Sequence, residues 1–192
     1  MDQRVASIGP AARELDEQEE VELGRICYVL ALFEEVYRAG LWPGSPLSSQ
    51  AMTSLDALLS AVPHLATEDI SMLAAAMYPI WLPLTGLPFD LNPKFDGSAD
   101  VRGADAGLIV DGVLVDIKTK TKANLDKLTV FQLLGYLFLD YSNHYDINEL
   151  ALYYSRSAEF VRLPISTAFE LAATDTSKSL AQYRSELQKI LA

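Results

Sequence analysis

The segment from Leu108 to Lys118 limits the fold more than any other part of the chain. It reads Leu-Ile-Val, then Asp-Gly, then Val-Leu-Val-Asp-Ile-Lys. Two β-type runs around Asp-Gly predict a tight antiparallel hairpin, because Asp111 and Gly112 both tolerate the positive φ that a two-residue turn needs. Such a turn also sets the register. Val110 then opposes Val113, Ile109 opposes Leu114, Leu108 opposes Val115, Gly107 opposes Asp116 and Asp105 opposes Lys118. Side chains alternate along a strand, so positions 105, 107, 109, 114, 116 and 118 share one face. Asp105, Asp116 and Lys118 are therefore expected together at one end of that face.

Around this hairpin the pattern predicts a single α/β domain spanning residues 1–192. Residues 1–17 read as a polar, loosely ordered lead-in, and 18–92 as mainly helical. The first helix is expected over 19–38, with Leu23, Ile26, Cys27, Leu30, Phe33 and Val36 at helical spacing and Gly40 as its stop. Further helices are expected over 51–62 and 68–78, followed by a proline-punctuated turn region to Asn92. Residues 93–164 hold the core sheet and one helix. That helix is expected to start at an Asn124 N-cap and to end near Tyr141; it is apolar nearly all round and so reads as buried. A strand pair over 149–154 and 159–163 follows, turning at Ser155-Arg156-Ser157. Residues 165–192 close the chain with helices near 167–172 and 177–191.

Half of the residues are apolar and 21% are charged, which excludes a disordered chain. The net charge of -11 excludes a generic polybasic binder of nucleic acid or membrane. It leaves a nuclease open, since metal sites are themselves built from carboxylates. Cys27 is the single cysteine, so no internal disulfide forms. It reads as a small buried residue on a helix, and a reducing cytoplasm is expected. The first fifteen residues lack the apolar centre of a signal peptide. The apolar stretch 70–89 is broken by Pro79, Pro83 and Pro88, so no membrane span is expected. His64 and His144 stand alone, without zinc-ligand spacing. No glycine-rich phosphate loop or Gly-x-Ser-x-Gly elbow is present.

Two acids and a lysine converging at a strand end suit Mg²⁺ chemistry. The hard ion takes one or two carboxylates plus substrate phosphate, and a nearby lysine can orient an attacking water. An exposed acid–lysine pair of no great energetic weight is the plainer reading of Asp-x-Lys alone. Gln132 and Tyr136 add to it. They lie four residues apart on one face of the following helix, within the apolar run Val130 to Tyr136, where an amide needs a polar partner.

Gly103-Ala104-Asp105-Ala106-Gly107-Leu108-Ile109-Val110-Asp111-Gly112, with Asp116-Ile117-Lys118-Thr119 after it, resembles the metal-binding hairpin of the PD-(D/E)XK nuclease superfamily. Gln132-Leu133-Leu134-Gly135-Tyr136 resembles the Q-x-x-x-Y motif of its RecB-like exonuclease branch. The resemblance covers about residues 95–141. It implies a restriction-endonuclease-like αβββαβ core with a helical N-terminal region, and a Mg²⁺- or Mn²⁺-dependent nuclease. By position, it makes Asp105, Asp116 and the backbone carbonyl of Ile117 metal ligands. It makes Lys118 the residue that positions the water, and Gln132 and Tyr136 contacts to substrate phosphate, water or the metal's outer shell. An acid of the first helix, Glu34 or Glu35, is a further candidate beside its reading as a solvated acidic turn.

One position departs from that pattern. The acid expected immediately before the apolar strand is Gly107 here. Either Asp105, diagonal to Asp116, takes its place as ligand, which is the reading adopted, or the domain binds nucleic acid without cutting it. Asp96 and Asp100 read as polar-turn residues. Lys118, Lys120, Lys122, Lys127 and Arg102 form either a local track for a nucleic-acid backbone or a solvated strand end. Tyr153, Tyr154 and Phe160 either stack on bases or pack in the sheet. The expected function is hydrolysis of phosphodiester bonds, of DNA, in repair, restriction or phage defence. Alternatively the domain is a noncatalytic nucleic-acid-binding or scaffold protein. A homodimer or a partner protein is left open.

Overall fold

The computed structural model describes residues 6–7, 15–48, 54–172 and 177–191. Among these, the strands β1 (Ala6–Ser7), β2 (Pro88–Leu91), β3 (Leu108–Val110), β4 (Val113–Lys118), β5 (Glu149–Tyr154) and β6 (Glu159–Pro164) form one sheet in that spatial order. The helices are α1 (Glu17–Ala39), α2 (Leu55–Ser60), α3 (His64–Trp81), α4 (Lys127–Leu139), α5 (Ile165–Ala172) and α6 (Leu180–Leu191). The protein is thus a mixed α/β fold, as its patterning predicts.

The hairpin forms as predicted. Asp111 and Gly112 take φ values of 48° and 76°, and Val110, Ile109 and Leu108 oppose Val113, Leu114 and Val115. Neighbouring strands are antiparallel except β4 and β5, which run parallel. A parallel pair needs a long crossover, and α4 lies within it.

Several element boundaries differ from the sequence reading, each for a local reason. Helix α4 starts at Lys127, because the Asp126 carboxylate caps it by accepting from the Thr129 N–H at 2.8 Å. Asn124 instead gives its carbonyl to the Tyr154 hydroxyl, at 2.6 Å. Strand β2 falls in the expected turn region: a proline can open a strand, and four residues are too few to show a period. Ala6 and Ser7, placed in the loose lead-in, pair with Phe89 and Pro88. Positions 51–53 of the second expected helix lie outside the described residues. Helix α3 begins four residues before its expected start, at His64 instead of Glu68, and continues past Pro79.

The described residues divide into two compact units where the sequence reads as one domain. One comprises β1 and the chain from Pro79 onward; the other holds the helices up to Tyr78. The division falls at Pro79, inside α3, where a proline removes a helical hydrogen bond.

In the first unit, α4 buries Val130, Leu133, Leu134 and Leu137 against Leu114, Leu150, Leu152 and Tyr154 of the sheet. Each such side chain contributes about 1.5–3 kcal/mol through burial. Asp140, just past the end of α4 and fully buried, accepts from the N–H groups of His144 and Tyr145 at 2.9 and 3.4 Å. Arg184 of α6 reaches it at 3.3 Å, and also donates to the Leu137 carbonyl and to Asn143. Burial pushes the Asp140 carboxyl up, while those N–H groups and Arg184 oppose the rise. Burial likewise lowers the Arg184 guanidinium. This pair fixes the end of α4 and hence the helix that carries Gln132.

In the second unit, α1 is capped by Asp16, which accepts from Gln18 and Glu19. The expected buried face of this helix is corrected. Gly24 and Val29 are buried, whereas Leu23, Ile26, Cys27, Leu30 and Phe33 are exposed. Apolar residues occupy most of the circumference of α1, so spacing alone did not single out the packed arc.

Candidate active site

Strand β4 presents Asp116 and Lys118 on the same face, toward α4. The two side chains form an ion pair at 2.6 Å and are mostly shielded, 13% and 18% exposed. Lys118 Nζ also donates to Gln132 Oε1 at 2.8 Å, and Gln132 Nε2 donates to the Tyr136 hydroxyl at 2.9 Å. A continuous polar line therefore runs from the strand end along one face of α4. The four residues are those the sequence singles out. Gln132 itself is exposed, where a buried amide was expected; the site end of α4 faces solvent.

Asp116 Oδ2 is shut off from solvent, yet makes no hydrogen bond of good geometry with the described residues. Its close contact is the ion pair with Lys118. The lysine ammonium compensates the buried charge of that oxygen.

The backbone beside it is also open. Ser155 N–H donates to the Lys118 carbonyl at 3.1 Å, so that carbonyl faces β5. Carbonyls alternate along a strand, which turns the Ile117 carbonyl to the opposite edge. On that edge the pairing with β3 ends at Leu108 and Val115. A Cβ at Gly107 would lie 3.2 Å from the Val115 carbonyl oxygen, closer than ordinary contact. Glycine at 107 thus permits the strands to approach at the position where the PD-(D/E)XK pattern has an acid.

Asp105 does not join the β3–β4 ladder, so the expected pairing with Lys118 does not form. It bridges instead to Lys94, on the β2 side, and is exposed. That segment is nonetheless tied to the polar line. The Tyr145 hydroxyl donates to the Lys94 carbonyl at 3.0 Å and accepts from the Lys94 N–H at 3.1 Å. Phe95 stacks on Tyr136 with ring centres 5.8 Å apart, and meets Tyr145 edge-on at 5.5 Å. Sequence reasoning missed Phe95 and Tyr145 as the residues that orient Tyr136, and no periodic signal marks them.

No group of three or more His, Cys, Asp or Glu side chains able to hold a metal occurs among the described residues. A single carboxylate with a free carbonyl beside it still suits Mg²⁺, which keeps several waters and binds substrate oxygens. Asp116, whose Oδ2 is held by the Lys118 ammonium at 2.6 Å, is the carboxylate that the strand end supplies.

The remaining candidates have other partners. Asp96 accepts from Ser142 N–H at 2.7 Å, and its hydrogen bonds to Ser142 hold the carboxyl below the usual range. Asp100 accepts from the Tyr141 hydroxyl. Both act as turn residues, as expected. Glu34 pairs with Arg38, and Glu35 accepts from the Trp42 indole, both in the helical unit. Lys120 pairs with Asp126 at 3.7 Å, and Lys127 lies over the Phe131 ring. Lys122 and Arg102 are exposed. Tyr153 and Tyr154 are buried in the sheet and Phe160 is half-buried, so the packing reading holds for the two tyrosines and base stacking does not.

Comparison of the chain with protein-family models, curated proteins and solved structures gave no match. The site therefore rests on its own geometry. No helix among the described residues is long and apolar enough to cross a membrane.

Proposed function

We propose that this protein is a metal-dependent nuclease of the PD-(D/E)XK type, cleaving phosphodiester bonds in DNA. The observation that carries the reading is the unbroken line Asp116–Lys118–Gln132–Tyr136, running from a strand end onto the next helix. The chain order α3–β2–β3–β4–α4–β5, with β4 parallel to β5, is compatible with the αβββαβ core that the resemblance implies.

In this reading Asp116 and the Ile117 carbonyl, with Asp105, would hold Mg²⁺ or Mn²⁺. Bound there, the ion supplies Lewis-acid stabilisation of the charge that develops on the phosphate. Lys118 Nζ, fixed between Asp116 and Gln132, positions the attacking water at the phosphorus. The water oxygen forms the new P–O bond as the bond to the leaving sugar oxygen breaks. The attacking water gives up a proton to solvent, and the leaving oxygen takes one up from solvent and becomes a hydroxyl. Gln132 and Tyr136 hold Lys118 and contact a phosphate oxygen of the substrate.

A second reading, a noncatalytic binding domain, draws on Gly107 and on the backbone bridge by which Asp105 pairs with Lys94 and not with β4. One experiment separates the two. Purified protein is incubated with linear duplex, supercoiled and single-stranded DNA, and with RNA, in Mg²⁺ or Mn²⁺. The nuclease reading expects metal-dependent cleavage of DNA that Lys118→Ala abolishes without loss of the fold. Absence of cleavage of every substrate, together with retained DNA binding, establishes the binding domain instead.

A further inference from the structure

Helices α4, α5 and α6 form an apolar groove of about 300 Å³, a volume in the range of small-ligand sites. It is lined by Phe131, Gly135 and Phe138 of α4, Phe169 of α5, and Tyr183 and Leu187 of α6. Phe138, Phe169 and Tyr183 stack on one another, their ring planes within 18° of parallel. Gly135 is the residue that the fold does not explain. A glycine inside a helix costs stability relative to alanine, and is kept where φ is positive or where a neighbour leaves no room for a Cβ. Neither holds here. Gly135 lies in the middle of α4 without a positive φ. Among the described residues, a Cβ there would meet nothing within 4 Å beyond the backbone of its own helix. The space over Gly135 is a cradle that the chain leaves open, in the form that a flat group approaching the helix backbone needs.

The cradle adjoins the polar line. At 3.6 residues per turn, Gly135 lies about 60° around α4 from Gln132, between that residue and Phe131. The chain entering α4 is basic although the protein carries a net charge of -11: residues 118–127 hold Lys118, Lys120, Lys122 and Lys127 against one acid, Asp126. The Lys127 ammonium lies 5.2 Å from the centre of the Phe131 ring, and so stands beside the groove. On the far wall Lys178 lies over the Tyr183 ring and pairs with Glu186. Aromatic faces on which a base can stack, with a lysine beside them for the backbone phosphate, are the parts from which single-strand sites are built. We propose that this groove receives an unstacked base of a single DNA strand whose phosphate lies at Gln132 and Tyr136. The proposal rests on the reading of that line as a DNA-cleaving site, and adds the class of substrate. A base inside a duplex must first leave its stack and its partner, which costs least in a single strand. Single-stranded DNA is therefore the preferred form.

Fluorescence anisotropy of the full chain with a short labelled oligothymidine tests it, in EDTA so that no strand is cut. A strand of equal length made of abasic sites, and a duplex, serve as comparisons. Wild type is expected to bind the oligothymidine at least about tenfold more tightly than either. Gly135→Leu fills the cradle and is expected to weaken that binding about tenfold, while the abasic strand, which keeps only its phosphate contacts, binds as before. Phe131→Ala, at a half-exposed position, is expected to act in the same direction. Gly135→Ala has room for its methyl group, and its melting temperature is expected to rise by a few degrees. The proposal is overturned by a wild type that binds the oligothymidine no better than the abasic strand or the duplex. It is equally overturned if Gly135→Leu and Phe131→Ala bind as wild type does, or if Gly135→Ala melts lower. The nuclease reading fails separately. This binding pattern without cleavage in Mg²⁺ or Mn²⁺ keeps the groove and removes the activity, whereas cleavage with unchanged binding by both variants keeps the activity and removes the groove.

Discussion

Lys118 on the last turn-free position of β4 and Gln132 on α4 are joined by a 2.8 Å hydrogen bond from Nζ to Oε1. The bond links a strand to the crossover helix that follows it, so the lysine is aimed by two elements rather than one. With Asp116 on its other side at 2.6 Å, Nζ has a defined position before any substrate arrives.

Removing that nitrogen is the first test. Lys118→Ala is expected to lower the cleavage rate about 10²- to 10⁴-fold, the usual contribution of a positioned proton-handling group. Gln132→Ala leaves the lysine in place but less constrained, and a loss of about 10- to 100-fold is expected. Single-turnover rates on a labelled DNA duplex measure both, with circular dichroism to confirm folding.

Asp116→Asn keeps the shape of the side chain and removes its charge. Calorimetric titration with Mn²⁺ is expected to show affinity reduced at least about tenfold, and a chelator to abolish wild-type cleavage. Equal Mn²⁺ affinity in wild type and variant would remove Asp116 from the metal site.

Gly107→Asp restores a carboxylate opposite Asp116. The new Cβ meets the Val115 carbonyl oxygen at 3.2 Å, so a melting temperature lower by a few degrees is expected. Tighter Mn²⁺ binding should accompany it, measured by the same titration.

Arg184→Met leaves the fully buried Asp140 with its two N–H donors but without its cation. Breaking a buried pair from one side typically costs about 3–5 kcal/mol. Urea unfolding is expected to show a loss of that order, and cleavage at low temperature to survive, since the pair lies at the far end of α4 from Lys118.

The Asp96 carboxyl is held below its ordinary value by its hydrogen bonds to Ser142. A group whose pKa is lowered by folding stabilises the fold above its unfolded pKa of about 3.9, and that contribution is lost as pH falls through the lower folded value. Wild type should therefore lose stability more steeply than Asp96→Asn below about pH 4. Melting temperatures across pH 2.5 to about 7 for both proteins check the difference.

Local chemistry alone determined much of this protein. The Asp-Gly turn specifies the β3–β4 register because both positions accept positive φ, and the register in turn puts Asp116 and Lys118 on one face. The spacing of Gln132 and Tyr136 puts them on one helical face, whatever that face meets. Tertiary structure decided the rest. That α4 turns this face toward Lys118 depends on the parallel pairing of β4 with β5, a contact between distant segments that no local period encodes. The Asp105 backbone pairs with Lys94 because the β3–β4 ladder stops at Leu108, where the chain continues to follow β2 instead. The exposed arc of α1 was likewise open until packing chose Gly24 and Val29, since a helix apolar on two sides has no preferred inner face until its neighbours are in place.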